Sequence, residues 1–289
     1  MGKETVFLNG QFLDINEAKI SILDRGFNYG DGLFETMRSY NGRVFKLDLH
    51  LNRLLKSAQE IFIDVPYDKE QLKKTIYEVI KKNSFKEAII KLTVTRGVSE
   101  PGLSIQYSSR PTLLVYAIQF KPLPKEYFNN GVDISLHPFS AIKLSGLTDQ
   151  IKSCNYLSHI IIKKLAEDQN TFEGIMLNEK DHVCEGTSSN IFIIKNGVLI
   201  TPPISEYVLE GVTRNVIHEI VNNHNIFSKE NNFTAKDIES ADEVFLTNTG
   251  IEVLPVGKVD NITIKKPIPG PLTKFIHNQF LNMIDEQSN

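Results

Sequence analysis

Gln150-Ile151-Lys152-Ser153-Cys154-Asn155-Tyr156-Leu157 is followed about thirty residues later by Val183-Cys184-Glu185-Gly186-Thr187-Ser188-Ser189-Asn190-Ile191-Phe192. The first stretch sets one lysine ahead of an apolar helical stripe, Tyr156, Leu157, Ile160, Ile161 and Leu165, and leaves Lys163 and Lys164 as the solvated lysines of that helix. A lysine at a helix mouth is ordinarily a solvated charge. Against apolar neighbours its charged form is disfavoured, its pKa falls and the amine becomes a nucleophile. Glu185 stands between strand-like runs beside a Ser/Thr-rich turn rather than on a polar helical face, which points to a specific partner. An amine able to form a Schiff base with an aldehyde, and a carboxylate able to keep a pyridine nitrogen protonated, are together what pyridoxal phosphate chemistry requires.

Around that pair, 289 residues with 41% hydrophobic content suffice for two domains with sizeable cores. A net charge of −3, with both signs interspersed, offers no broad footprint for nucleic acid or an anionic membrane and leaves room for a basic patch holding one phosphate. Cys154 and Cys184 are too few for a disulfide framework; they read as small buried hydrophobes in a reducing compartment. The N-terminus lacks the apolar region of a signal peptide and no run approaches bilayer-spanning length, so a cytoplasmic protein is expected. No metal site is expected.

Upstream, Asn9-Gly10 and Asn41-Gly42 predict two-residue hairpins, the second between Phe34–Tyr40 and Arg43–Leu47. Alternation along the former strand places Phe34, Thr36, Arg38 and Tyr40 on one face. Arg38 there reads either as a sheet-edge or salt-bridging residue or as a carboxylate-binding group in a pocket. Asp24 to Gly32 carries three glycines in seven residues and reads as a tight loop delivering Tyr29 and Phe34 to a cavity. Asp48 is placed as a cap for a helix through Leu51, Leu54, Leu55 and Ala58, and Asp68 with Gln71 as the capping box of another. Strands at Ala88–Val94 and Thr112–Phe120 complete an α+β domain over 1–121, with 122–130 as linker and 131–289 as a C-terminal domain. In that domain Gly174–Leu177, His182–Cys184, Ile191–Ile194 and Val198–Thr201 read as strands, the last two joined by a third hairpin at Asn196-Gly197. Gly211-Val212-Thr213 opens a helix; it is either an ordinary capped start or a phosphate cradle of free N–H groups plus a hydroxyl. Thr247-Asn248-Thr249-Gly250-Ile251 is a second hydroxyl-rich turn, and a helix from Pro271 to Ile284 ends the pattern.

Taken in order, Tyr29-Gly30-Asp31-Gly32-Leu33-Phe34-Glu35, His50-Leu51-Asn52-Arg53-Leu54, Lys152-Ser153-Cys154-Asn155-Tyr156-Leu157, Glu185-Gly186-Thr187-Ser188-Ser189-Asn190, Gly211-Val212-Thr213-Arg214 and Thr247-Asn248-Thr249 resemble the class IV aminotransferases. These are the fold-type IV pyridoxal phosphate enzymes, among them branched-chain and D-amino acid aminotransferases and aminodeoxychorismate lyases. The resemblance covers nearly the whole chain. It implies a smaller N-terminal α/β domain, a larger C-terminal domain with a barrel-like β core, an active site in the cleft between them, and a homodimer. It also implies that Lys152 carries the Schiff base and shuttles the proton between Cα and C4′, that Glu185 pairs with the pyridinium nitrogen and that Tyr156 reaches the phenolate oxygen. Arg53, Val212, Thr213 and Thr249 would hold the phosphate, Leu209 would pack on the ring, and Ser189 and Asn190 would complete the cofactor contacts. Tyr29, Phe34, Thr36, Arg38, Arg96, Gly250 and Ile251 would face substrate.

Where branched-chain enzymes of this class show Phe-Glu-Gly, this chain has Phe34-Glu35-Thr36, whose extra side chain narrows an apolar pocket. Arg96-Gly97 resembles the carboxylate-binding region of D-amino acid aminotransferases, with Val98 where a polar partner would be expected. Phe-Glu-Thr and Thr-Asn-Thr-Gly resemble aminodeoxychorismate lyases, which eliminate pyruvate. The resulting expectation is ping-pong transamination from a hydrophobic or branched-chain amino acid to 2-oxoglutarate, with release of pyruvate and 4-aminobenzoate, or D-amino acid transamination, as alternatives.

Overall fold

A computed structural model describes residues 4–108, 110–138, 150–206, 208–265 and 267–288. The chain forms two compact units. The first comprises Met1–Lys121, Ile151–Asn155 and Gln287–Asn289; the second comprises Pro122–Gln150 and Tyr156–Glu286.

In the first unit, β1 (Thr5–Leu8), β2 (Gln11–Asp14), α1 (Arg25–Tyr29), β3 (Gly32–Tyr40), β4 (Arg43–Val44), α2 (Leu47–Glu60), α3 (Lys69–Lys82), β5 (Ala88–Thr95) and β6 (Thr112–Gln119) follow one another. The strands make an antiparallel sheet in the order β2-β1-β6-β5-β3-β4. Both expected hairpins turn at Asn-Gly pairs with positive φ, 48° and 93° at Asn9-Gly10 and 48° and 81° at Asn41-Gly42, the backbone a type I′ turn demands. α2 and α3 cover one sheet face, burying Leu51, Leu54, Leu72 and Ile76 against Met37 and Leu92. Asp68 caps α3 through the anticipated box with Gln71.

Three local expectations change. The stretch read as a tight loop from Asp24 to Gly32 contains the short helix α1, capped by the Asp24 carboxylate on Gly26 N–H. α2 starts at Leu47, one residue before Asp48, so Asp48 lies in the first turn and pairs with Lys73 at 2.9 Å rather than capping. The strand expected to run to Leu47 stops at Val44 because this helix begins there.

The second unit contains α4 (Lys125–Asn130), β7 (Val132–Pro138), α5 (Leu157–Asp168), β8 (Glu173–Leu177), β9 (Val183–Gly186), β10 (Asn190–Lys195), β11 (Val198–Thr201), α6 (Val212–Asn223), β12 (Ser228–Glu230), α7 (Ala235–Glu239), β13 (Glu243–Asn248), β14 (Glu252–Val259), β15 (Ile262–Thr263) and α8 (Pro271–Ser288). Its nine-stranded sheet runs β12-β11-β10-β13-β14-β7-β8-β9, with β15 on β14. One face carries Ile191, Ile193, Val244 and Leu246 into an apolar core. The other face stacks Phe192 on Phe245, with centroids 5.0 Å apart, beneath α6, whose His218 lies 6.0 Å from Phe192. Residues 122–130 are more than a linker: α4 forms there, and Phe128 packs against the same core.

Two further expectations concern the lysine segment. Ile151–Asn155 belongs to the first unit, because Ser153 bridges Leu33, Phe34 N–H donates to Lys152 O at 3.0 Å and Cys154 N–H donates to Gly32 O at 2.9 Å. The apolar stripe of α5 does not bury the helix: Leu157 is 71% and Ile160 61% exposed, whereas Ile162 and Ala166 face inward. Lys163, read as solvated, donates to Phe172 O.

Candidate active site

In the first unit, Lys152 is held by its backbone on the edge of β3, while Ile151 beside it is buried in the core. Its Nζ lies 4.6 Å from the centroid of the Phe34 ring, and Lys91 Nζ, on the neighbouring strand, lies 4.5 Å from the same centroid. A cation over an aromatic face is attracted to it. Glu35, pointing to the helix-covered face, is 1% exposed. Its carboxylate accepts from Arg53 Nε and Nη2, each at 2.7 Å, and faces His50 Nδ1 at 2.7 Å. Burial alone would raise the Glu35 pKa; the Arg53 charge and the hydrogen bonds from His50 and Arg53 outweigh it and pull the pKa down to about 2. Burial lowers the His50 pKa more strongly than Glu35 raises it.

The other expected residues of this unit have the following neighbours. Tyr29 Oη accepts from Gly102 N–H at 3.1 Å, with the Arg25 guanidinium 5.1 Å above its ring. Thr36 pairs across the sheet with Lys91. Arg38 follows the salt-bridging reading: it lies between the Tyr40 and Phe120 rings, 4.2 and 3.5 Å from their centroids, and 3.8 Å from Glu87. Arg96 is 8% exposed and grips Asp31 with Nε at 2.8 Å and Nη2 at 2.9 Å; Nη1 and Nη2 also donate to Phe62 O and Ile61 O at 2.7 and 2.8 Å.

In the second unit, Glu185 Oε2 accepts from Leu209 N–H at 3.0 Å and from Asn190 Nδ2 at 3.4 Å, and Asn190 Nδ2 also donates to Leu209 O at 3.0 Å. Asn248 Oδ1 accepts from Gly250 N–H and Ile251 N–H, while its Nδ2 donates to Ser188 O, so the Thr249–Ile251 turn is tied to the Ser188–Asn190 segment. Tyr156 stands at the start of α5 with its ring stacked on His159 at 4.5 Å. Ser189, expected among the cofactor contacts, donates to Glu173 at 3.0 Å.

The start of α6 suits a phosphate. Gly211 is its N-cap, with no side-chain hydrogen bond to the first turn, and Val212 and Thr213 follow. A Cβ on Gly211 would come within 2.1 Å of Asn190 Oδ1, so the approach to these N–H groups is kept narrow and bare. Each unit thus carries groups whose chemistry fits pyridoxal phosphate: an amine at Lys152 in the first, a carboxylate at Glu185 and the α6 start in the second. Among the described residues no cluster could hold a metal ion and no helix is long and apolar enough to cross a membrane.

Two buried carboxylates were not singled out from sequence. Glu35 stands in core phase with Leu33 and Met37 on β3, and that phase was the available signal. Glu173 is 3% exposed within the apolar β8 and accepts from the hydroxyls of Thr187, Ser188 and Ser189, bracing the turn that follows Glu185.

The profile of the family described as amino-transferase class IV matches residues 32–259. A Methanocaldococcus jannaschii protein provisionally named a branched-chain-amino-acid aminotransferase is 38% identical over 275 residues, 95% of this chain and 94% of its own. A D-alanine aminotransferase of Staphylococcus aureus is 36% identical over 286 residues, 99% of both chains. A branched-chain aminotransferase from Thermoproteus uzoniensis, solved with norvaline, superposes with a TM-score of 0.89 at 31% identity, covering 99% of this chain and 96% of that one.

Proposed function

Because this chain belongs to the class IV aminotransferases, two-domain fold-type IV enzymes that use pyridoxal 5′-phosphate, we propose that it moves an amino group from a hydrophobic or branched-chain amino acid to 2-oxoglutarate. The observation that carries the donor class is the Phe34 ring 4.6 Å from Lys152 Nζ, which sets an aromatic wall beside the reacting amine. Arg96 weighs against a D-amino acid gripped by that guanidinium, since four hydrogen bonds to Asp31, Ile61 and Phe62 already hold it.

When bound, pyridoxal phosphate supplies an electrophilic aldehyde carbon and a ring that takes up the electron pair left at Cα. Lys152 would hold the cofactor through its amine, and Nζ would be the group that takes up and gives back the proton of the donor Cα. Glu185, with its carboxylate fixed by Leu209 N–H and Asn190, would hold the proton on the pyridine nitrogen. Arg53, held by Glu35 in the first unit, would offer the phosphate a charge-assisted grip, and the first turn of α6 in the second unit would offer it aligned N–H dipoles. Tyr156 would serve the phenolate oxygen, Leu209 would pack on the ring and Thr249 would add a hydroxyl. Donor and acceptor would react in separate half-reactions, so ping-pong kinetics are expected.

The test is the visible absorbance of the purified protein, recorded before and after L-leucine. A yellow band that bleaches with L-leucine, and parallel double-reciprocal lines with 2-oxoglutarate, are expected; Lys152→Ala should lose turnover while keeping its unfolding temperature. Bleaching by D-alanine but not L-leucine would replace the donor assignment. Pyruvate and 4-aminobenzoate from aminodeoxychorismate without any 2-oxo acid would replace transfer by elimination. Near-normal turnover in Lys152→Ala would remove the mechanism.

A further inference from the structure

The α6-facing side of β13 holds a hydroxyl that the fold leaves unbonded. Thr247 is 0% exposed, and among the described residues its Oγ1 meets no hydrogen-bond partner. Its register is nonetheless fixed by pairing with Asn190 and Val253. Leaving a buried hydroxyl unbonded is costly, and a valine of nearly the same shape would avoid the cost. A neighbouring buried hydroxyl of this sheet shows the ordinary outcome: Thr201 Oγ1 donates to Ile191 O at 2.9 Å.

Residues directly opposite in an antiparallel pair project to the same face, with Cβ atoms roughly 5 Å apart. The Thr247 hydroxyl therefore lies alongside the Asn190 side chain, on the face that also carries Phe192 and Phe245. Asn190 reaches the α6 start: Nδ2 donates to Leu209 O, and Oδ1 is 2.1 Å from the point a Gly211 Cβ would occupy. Thr247 thus faces the N-terminus of a 12-residue helix whose cap residue supplies no side-chain acceptor. Thr273 Oγ1 is likewise buried and unbonded, but Glu243 already accepts from the first-turn N–H groups of α8 at Leu272 and Thr273. An anion has no place there, whereas at α6 one does.

We propose that the Thr247 hydroxyl donates a hydrogen bond to the phosphate of bound pyridoxal phosphate, as a contact beyond the first turn of α6. This rests on the reading that the phosphate sits at that helix start. It explains why a threonine stands at a position whose surroundings otherwise favour valine: the hydroxyl is an orphan only until the phosphate is present.

The test strips the full-length protein of cofactor and retitrates it, by visible absorbance, with pyridoxal phosphate and with pyridoxal, which lacks the phosphate. Thr247→Val should bind pyridoxal phosphate about tenfold more weakly and pyridoxal unchanged. The stripped variant should unfold at or above the wild-type temperature, because the orphan hydroxyl is gone. Thr247→Ser, which keeps the hydroxyl, should retain the wild-type preference for the phosphorylated form. Unchanged pyridoxal phosphate affinity in Thr247→Val, equal loss of both ligands, or loss of the preference in Thr247→Ser would each overturn the assignment. Thr213→Val separates this from the underlying reading. If it leaves the preference intact, the phosphate is not at α6; if it reduces the preference while Thr247→Val does not, only the Thr247 contact falls.

Discussion

Glu35 is the residue on which the first unit's charge balance turns. Its folded pKa of about 2 lies below its ordinary value of 4.5 because Arg53 and His50 outweigh burial. A carboxylate depressed in this way adds stability that is complete above about pH 4.5 and is lost as the pH falls towards 2. The shift corresponds to about 3 kcal/mol at most. Glu35→Gln keeps the shape but removes the carboxylate that the partly buried Arg53 grips, at a cost of roughly 3 kcal/mol at neutral pH. Urea unfolding of both proteins at several pH values should give a stability difference that is constant above pH 4.5 and narrows below it. A difference that persists undiminished to the lowest pH would mean that Glu35 is not the titrating group.

At the scale of elements, the start of α6 is set by a glycine whose role is space rather than conformation. Gly211 has φ −68° and ψ 136°, which any residue adopts, yet a Cβ there would meet Asn190 Oδ1 at 2.1 Å. Gly211→Ala should therefore displace the Asn190 amide, removing a donor from both Glu185 and Leu209 O, at about 1–3 kcal/mol. A lowered unfolding temperature and weakened pyridoxal phosphate binding would show this. Gly250→Ala, whose Cβ would find its nearest neighbour at 3.5 Å, serves as the control and should change the unfolding temperature little. An unaltered Gly211→Ala protein would mean Asn190 yields without cost. The same contrast explains what the sequence disclosed. Hairpins at Asn-Gly pairs were legible because positive φ is a local demand, and the capping box of α3 because its partners are three residues apart. Arg96 and Arg38 were not, because alternation assigns a face but not a partner: Asp31 is 65 residues from Arg96, and Phe120 reaches Arg38 from another strand end. For Lys152, the motif was legible, but the surroundings were misjudged; its backbone is fixed by β3 rather than by burial of the α5 stripe.

For the whole molecule, that exposed stripe is the strongest argument about assembly. Leu157, Ile160, Ile161 and Leu165 recur at helical spacing and so share one side of α5, and all four are exposed while Ile162 and Ala166 anchor the helix inward. An apolar helix face left to water marks an interaction surface. With a net charge of only −3 there is little self-repulsion to keep copies apart. A homodimer built over this face is therefore the expected assembly, and sedimentation should give a mass twice the 32.7 kDa of one chain. The double variant Leu157→Glu/Ile160→Glu removes no core side chain, so the single chain should stay folded by circular dichroism. Its dimer should nonetheless weaken by at least about tenfold, since each desolvated charge opposes burial in an apolar contact. A wild-type protein that sediments as a monomer at micromolar concentration would end the proposal, as would a double variant that dimerises undiminished, because the second result would place the contact on another face.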